Sequence, residues 1–422
     1  MKLHFKDQTF SFELLRAVSY APYGGAEIGE CLAVAARIRD GDFESWHVEW
    51  RLAAQRLDAL AAQAIRDEHV VSARDAFLRA SNYYRTAEFF LAPEDPRRLV
   101  TYEQSRAAFW NAIALLDTPV ELVRLPYEGV TLPAYFYQVD GSGVSRPTLL
   151  ILGGFDSTCE ELYFFAVAAA LRRGYNCLAF EGPGQGESLR LKHMPARPDY
   201  EVPVRAAVDY LFERPEVDRA RLAIWGTSLG GYYAPRAAAF EPRLQACIAH
   251  GVMYDLWDAQ VSKQPLLCML AKHWPTLLNH NLLFDIPAHR DAGLRWASMN
   301  GMWVFGASTR AELLAAIRRY SLKQVAGSIR CPTLVLHGER DHFVPTQQAI
   351  SFYEALNCRK TLRVFNADDG AEEHCQLGNL SHLHQVAFDW LDEVFNVAEW
   401  PDSQLLDTLT AYTPEFGEVL QV

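Results

Sequence analysis

A serine set between glycines is the first chemical signal in the sequence. Gly226-Thr227-Ser228-Leu229-Gly230 follows the apolar run RLAIW and leads straight into Gly231-Tyr232-Tyr233. The run reads as a strand and the segment after it as a helix, so Ser228 is expected on a sharp strand-to-helix turn. Small neighbours suit such a turn, because side chains there would clash with strained backbone. The helix start also places a positive dipole end near the serine oxygen. G-x-S-x-G alone is weak, and an ordinary glycine turn is the alternative. The strand-to-helix context makes it specific.

A serine hydroxyl is a poor nucleophile until a base takes its proton. The partners are expected downstream, acid first and histidine second. Asp341 lies just past the apolar strand PTLVLHG, at its carboxyl end, with Glu339 as the fallback. His374 follows the next strand, KTLRVFN, in the loop GAEEHCQLGN. His342 reads as a loop residue, and His382 and His384 as surface or capping residues of the last helix. Asp341 would hold His374 in the tautomer that accepts the serine proton. The anionic intermediate needs N–H donors. Leu229 offers one; Phe155, in the loop Gly153-Gly154-Phe155-Asp156, offers the second, unless that loop is a plain strand-to-helix turn.

Two further stretches stand out. EGPGQGES (181–188) is glycine-rich after a strand, but lacks the Lys-Ser/Thr of a phosphate loop and the dinucleotide spacing. It reads as a structural loop. YAPYGGAEIGE (20–30) sets Tyr20 and Tyr23 before a helix. These tyrosines either line a pocket for an aromatic substrate or pack as a helix cap.

The elements that must position these residues alternate. TLLILGG, NCLAFEGPG, RLAIWG, ACIAHGV, PTLVLHG and KTLRVFN are apolar, strand-like runs separated by helical patterns. Such alternation implies a mostly parallel sheet with helices on both faces. VELVRLPYEG and VTLPAYFYQV ahead of it read as an antiparallel hairpin. Residues 1–118 read as a helical N-terminal domain, with breaks at Gly41-Asp42 and at 93–96. Residues 119–400 read as the core. Residues 253–327 read as a helical lid insertion, where Trp257, Trp274, Trp296 and Trp303 suit flat apolar ligands or fill the core. Residues 401–422 read as a tail. The expected class is therefore α/β, of the α/β-hydrolase fold.

Half of the 422 residues are apolar, enough for a large core, and the net charge of -12 disfavours nucleic acid and anionic membranes as partners. The eight cysteines form no C-x-x-C pair, which suits reduced thiols in a cytoplasmic protein and argues against zinc. The first 18 residues hold no long apolar region, and no run of 18 apolar residues follows, so neither a signal peptide nor a membrane span is expected.

GGFDSTCEE, EGPGQGES, GTSLGGYYAPRAAA and GAEEHC together resemble one hydrolase family with a helical domain before its core. It is the family of 2,6-dihydroxypseudooxynicotine hydrolase and of fungal hydrolases that shorten polyketides in melanin pigment synthesis. The stretch 20–30 is most similar to the fungal group. The resemblance implies hydrolysis of carbon–carbon bonds in acyl-aromatic or β-dicarbonyl compounds. It puts Ser228, Asp341 and His374 at the triad and Phe155 and Leu229 at the oxyanion donors. It also implies an acidic residue near the substrate, for which Asp156, Asp255 and Asp258 are candidates. A homodimer is implied by resemblance alone, and no cofactor.

Two chemistries fit. One is cleavage of a carbon–carbon bond next to a ketone in an aromatic or polyketide-type small molecule, with attack by Ser228 or by water activated by His374. The other is hydrolysis or acyl transfer of an ester, thioester or lactone by the same triad. A ligand-binding protein on this scaffold, or a peptidase, is the remaining alternative.

Overall fold

The structure is a computed structural model and describes residues 2–261, 265–273 and 291–397. Five helices come first: α1 (Gln8–Ser19), α2 (Ile28–Ala35), α3 (Phe43–Arg66), α4 (Val70–Glu88) and α5 (Pro96–Ile113). Helical spacing explains the longest. Trp46, Trp50, Ala53, Leu57 and Ala61 recur every three or four residues on α3, and all are buried. The Asp42 carboxylate accepts from the N–H groups of Glu44 and Ser45, which starts α3 at the expected break. Asp95 and Pro96 start α5 in the same way. Helix α4 lies between neighbours and is buried almost continuously from Ala80 to Glu88.

The hairpin of β1 (Val120–Tyr127) and β2 (Val130–Tyr137) follows, as expected, and is antiparallel. Next come β3 (Arg146–Leu152), α6 (Cys159–Leu162), a π turn, α7 (Ala168–Leu171), β4 (Asn176–Phe180), α8 (Gly186–Arg190) and α9 (Glu201–Glu213). After them run β5 (Val217–Thr227), α10 (Gly230–Ala238) and β6 (Ala246–His250). The segment between β6 and the next strand holds α11 (Leu256–Gln260), α12 (Pro265–His273), α13 (Ala292–Val304) and α14 (Arg310–Ile317). The chain closes with β7 (Thr333–Gly338), α15 (Thr346–Ala355), β8 (Lys360–Phe365) and α16 (Leu380–Phe395). Trp274 and residues 401–422, singled out above, lie outside the described residues.

The eight strands form one sheet in the order β1-β2-β4-β3-β5-β6-β7-β8, parallel from β4 to β8. The two-residue period of a strand divides its side chains between two cores. Leu149, Ile151 and Trp225 face the cluster shared with the N-terminal helices, while Leu150, Leu152 and Ile224 face α9 and α10. Burial on both faces explains why these strands read as continuous apolar runs.

Buried ion pairs join the N-terminal helices to α8, the short helix after β4. Glu88 at the end of α4 receives Arg98 Nε at 2.9 Å from α5, and Arg190 Nε at 2.8 Å from α8. All three side chains are 6% exposed or less, so none can fall back on water. Removing one partner of such a group leaves buried charge uncompensated, which costs roughly 3–5 kcal/mol. Glu88→Ala should therefore lose about that much in urea unfolding. A loss below about 1 kcal/mol would show that solvent reaches the cluster.

Candidate active site

Ser228 sits at φ +59°, in the left-handed region, between β5 and α10. Its N–H donates to the His250 carbonyl at 2.9 Å, which ties the turn to the neighbouring strand. The flanking glycines are required by space. A Cβ on Gly226 would stand 1.9 Å from the Gly230 carbonyl oxygen, and one on Gly230 would stand 2.7 Å from that of Gly153. Gly154 is constrained likewise, since its Cβ would fall 2.7 Å from the Ser228 Cβ.

Three side chains distant in sequence meet here. His374 Nε2 lies 2.9 Å from Ser228 Oγ, and His374 Nδ1 lies 2.6 Å from Asp341 Oδ2. The other Asp341 oxygen accepts the N–H groups of Phe343 at 2.9 Å and Val344 at 2.8 Å, which fixes the carboxylate plane. Burial disfavours the charged Asp341, yet the imidazole and the backbone donors outweigh it and hold the carboxyl below its usual range. Burial also opposes charge on His374, but the Asp341 carboxylate outweighs it and raises the imidazole well above 6.5. Glu339, the fallback acid, makes none of these contacts.

The loop bearing His374 is held from behind. Cys375 and Gln376 both have positive φ, at 56° and 52°. The Gln376 side-chain oxygen meets His250 Nε2 at 2.5 Å, while Trp225 Nε1 donates to His250 Nδ1 at 3.4 Å. Burial pushes His250 down to about 3, so it is neutral and donates from Nε2. The residue that anchors the Ser228 turn through its carbonyl thus anchors the His374 loop through its ring. Neither Gln376 nor His250 carries a motif that sequence reading would detect.

Phe155 and Leu229 line the same cavity as Ser228, and among the described residues neither backbone N–H makes a turn or loop hydrogen bond. Gln185 donates to the carbonyls of Gly153 at 2.7 Å and Gly154 at 3.1 Å. The 181–188 stretch therefore braces the loop that carries Phe155.

The cavity has a volume of about 220 Å³. Its walls are mainly apolar, with Phe12 from α1, Phe165, Trp296, Phe305 and Phe343 among them. The Phe12 ring stands 6.1 Å from the His374 ring, so the N-terminal helices reach the imidazole. Trp257 and Trp303 do not line it; they stack under Arg318 and Arg98 instead.

The substrate-side expectations divide. Tyr20 and Asp156 line the cavity. Tyr23 does not: its hydroxyl meets His384 Nδ1 at 2.6 Å, packed against α16. His384 is consequently fully buried, contrary to its reading as a surface or capping residue, because its Nε2 meets the Phe165 carbonyl at 2.6 Å. Asp255 and Asp258 also lie off the cavity wall. Asp255 caps α11 and both pair with Lys323, at 3.2 and 2.5 Å. Three charged residues were missed altogether, Glu13 and Arg16 of α1 and Glu161 of α6. For the first two, the available signal was charge placed inside the apolar stretch FSFELLRAV. Among the described residues no group of three or more His, Cys, Asp or Glu is placed to hold a metal, and no helix is long and apolar enough to cross a membrane.

Replacing Asp341 with Asn removes the charge that sustains the imidazolium. The His374 ring signals, followed by NMR, should titrate above pH 6.5 in the parent protein and at lower pH in Asp341→Asn. An unchanged titration would mean that burial and not the carboxylate controls this ring.

Residues 143–367 match the family model described as serine aminopeptidase, S33. Hydrolase acrC of Aspergillus aculeatus is 39% identical over 418 residues, 92% of this chain and 97% of its own. The 20-hydroxy-prefusarin hydrolase FUS2 of Gibberella moniliformis is 37% identical, over 93% of this chain and 98% of its own. Among solved structures, the crystal structure of 2,6-dihydroxy-pseudo-oxynicotine hydrolase superposes with a TM-score of 0.69 at 26% identity, covering 89% of this chain and 95% of that one. With this sheet, this helical N-terminal region and these full-length relatives, the chain is an enzyme and belongs to the α/β-hydrolase family that includes these fungal hydrolases.

Proposed function

We propose that this hydrolase cleaves a carbon–carbon bond adjacent to a ketone in an aromatic or polyketide-type substrate. The observation that carries the reading is the continuous chain from hydroxyl to imidazole to carboxylate, at 2.9 and 2.6 Å, on the wall of an aromatic-lined cavity. In support, relatives are named for 20-hydroxy-prefusarin and for 2,6-dihydroxy-pseudo-oxynicotine, both small organic molecules. In this reading residues 253–327 act as a lid over a core of 119–400, and residues 1–118 close the cavity from the other side. The expected form is a cytoplasmic homodimer working on a small molecule without a cofactor.

In this reading the triad acts in two half-reactions. Ser228 Oγ gives its proton to His374 Nε2 and adds to the substrate carbonyl carbon. The carbonyl oxygen becomes an oxyanion and accepts from the N–H groups of Phe155 and Leu229. When the intermediate collapses, the carbon–carbon bond breaks and its electron pair leaves as the enolate of the neighbouring ketone. The His374 imidazolium returns a proton to that carbon. Water, activated by neutral His374, then adds to the acyl-serine and releases a carboxylic acid. Asp341 steadies the ring in both protonation states.

The direct test offers the enzyme benzoylacetone, a β-diketone, beside matched aryl esters. Carboxylic acid and ketone should form from the diketone, and Ser228→Ala should lower turnover at least a thousandfold. Ester turnover with an untouched diketone would replace this reading with the esterase or acyltransferase one. Near-normal turnover by Ser228→Ala would exclude covalent catalysis.

A fluorophosphonate probe reports the serine independently of substrate. The neutral imidazole is the reactive form, so labelling should fade as pH falls through the raised pKa of His374, with a midpoint above 6.5. A midpoint below 6.5 would contradict the base assigned here.

A further inference from the structure

Beside Phe155 the cavity wall changes character. Glu13 and Arg16 of α1, Tyr20 just after it, Asp156 of the loop after β3, and Glu161 of α6 all line it. Arg85 of α4 stands behind them, 7% exposed. Two arginines thus face three carboxyl groups, of which Glu13 and Glu161 are buried and Asp156 is partly exposed.

The hydrogen bonds are unequally shared. Asp156 Oδ2 receives Arg16 and Arg85, each at 2.7 Å. Glu161 receives Arg16 through both of its oxygens, at 2.6 and 2.7 Å, and the Tyr20 hydroxyl at 2.7 Å. Glu13 is left with the long contacts, 3.5 Å to Arg16 and 3.3 Å to Arg85, though only 1% of its side chain is exposed. Arg16 and Arg85 give their short bonds to Asp156 and Glu161, and the carboxyl with the weakest partners is the one that keeps its proton.

We propose that the Glu13 carboxyl donates a hydrogen bond to a second oxygen of the substrate, a ketone or enol oxygen beside the carbonyl that Ser228 attacks. Such an oxygen is present in β-dicarbonyl compounds and acylphenols. A simple ester or isolated ketone has nothing to place there. The reaction above gives the contact its value, and only for the bond that breaks does this inference rest on that reading. As the carbon–carbon bond opens, negative charge moves onto this second oxygen, and a donor already in place gains strength. The neutral form is available near neutral pH: burial, partly offset by Arg16 and Arg85 and reinforced by Asp156 and Glu161, raises Glu13 to about 7. The donor is present below that pH and lost above it.

The test measures binding in the Ser228→Ala protein, where no turnover intervenes. The probes are benzoylacetone and acetophenone, which lacks the second oxygen. Benzoylacetone should bind more weakly at pH 8 than at pH 6, and acetophenone equally at both. Glu13→Leu should weaken benzoylacetone roughly tenfold at pH 6, about one hydrogen bond, and acetophenone less than about threefold. Glu13→Gln, which keeps a neutral donor, should bind benzoylacetone with no pH dependence. Equal losses for both ligands, or none, would reduce Glu13 to a structural ion-pair partner and overturn the proposal. So would undetectable benzoylacetone binding at millimolar concentration. If Glu13→Leu does not fold, the pH dependence of the Glu13 protein decides, and a flat profile sinks the proposal. Binding that depends on Glu13 without cleavage in the parent enzyme would defeat only the carbon–carbon reading. Cleavage indifferent to Glu13 would defeat only this one.

Discussion

Much of the molecule is organised around one unfavourable turn. Ser228 adopts a left-handed conformation that costs a non-glycine residue roughly 1–3 kcal/mol and survives only where its surroundings over-determine it. Here they do. Strand β5 is paired on both sides, with β3 and β6, and the Ser228 N–H is bound to the His250 carbonyl. Helix α10 can start at once because glycines 226 and 230 let two backbones touch. The result is a hydroxyl projecting from the carboxyl edge of a parallel sheet, where the crevice of such sheets lies.

The same edge receives His374 and Asp341, each held by contacts within the protein. Asp341 is locked by two backbone N–H groups immediately after it, a local turn closed by its own carboxylate. His374 stands ahead of two residues with positive φ, a shape maintained by the buried Gln376–His250 contact. Because His250 also holds the Ser228 turn, nucleophile and base share one anchor, and displacement of either would strain the other.

The N-terminal helices are part of this arrangement. Arg16 and Arg85 clamp Asp156, the residue next to Phe155, while Glu88 binds α5 and α8 together. Buried charges tolerate few geometries, since each must find its partner or be left uncompensated. Such pairs therefore fix how the helical region sits on the sheet, and with it the depth and polarity of the cavity. One side of that cavity is aromatic and the other carries the carboxyl-rich cluster.

The alternation of apolar runs with helical patterns, the antiparallel hairpin, the helical start of α3 and α5 and the strand-to-helix setting of Ser228 were legible in the sequence. Each depends on residues within a few positions of one another: a two- or four-residue period, a cap, a glycine beside a serine. The stations of Asp341 and His374 after successive strands were legible for the same reason. What local pattern could not assign was the partner of each exposed-looking polar group. Tyr23 and Tyr20 are three residues apart, yet one turns toward His384 and the other toward Glu161 in the cavity. Asp255 and Asp258 look as acidic as Asp156 and spend themselves on a helix cap and Lys323. Glu13, Gln185 and His250 matter through contacts 30 or more residues away along the chain. The sequence determined the elements and the residues at their ends; only the packing of helices against the sheet decided which side chains share a cavity, because desolvation and charge pairing are properties of the space between elements.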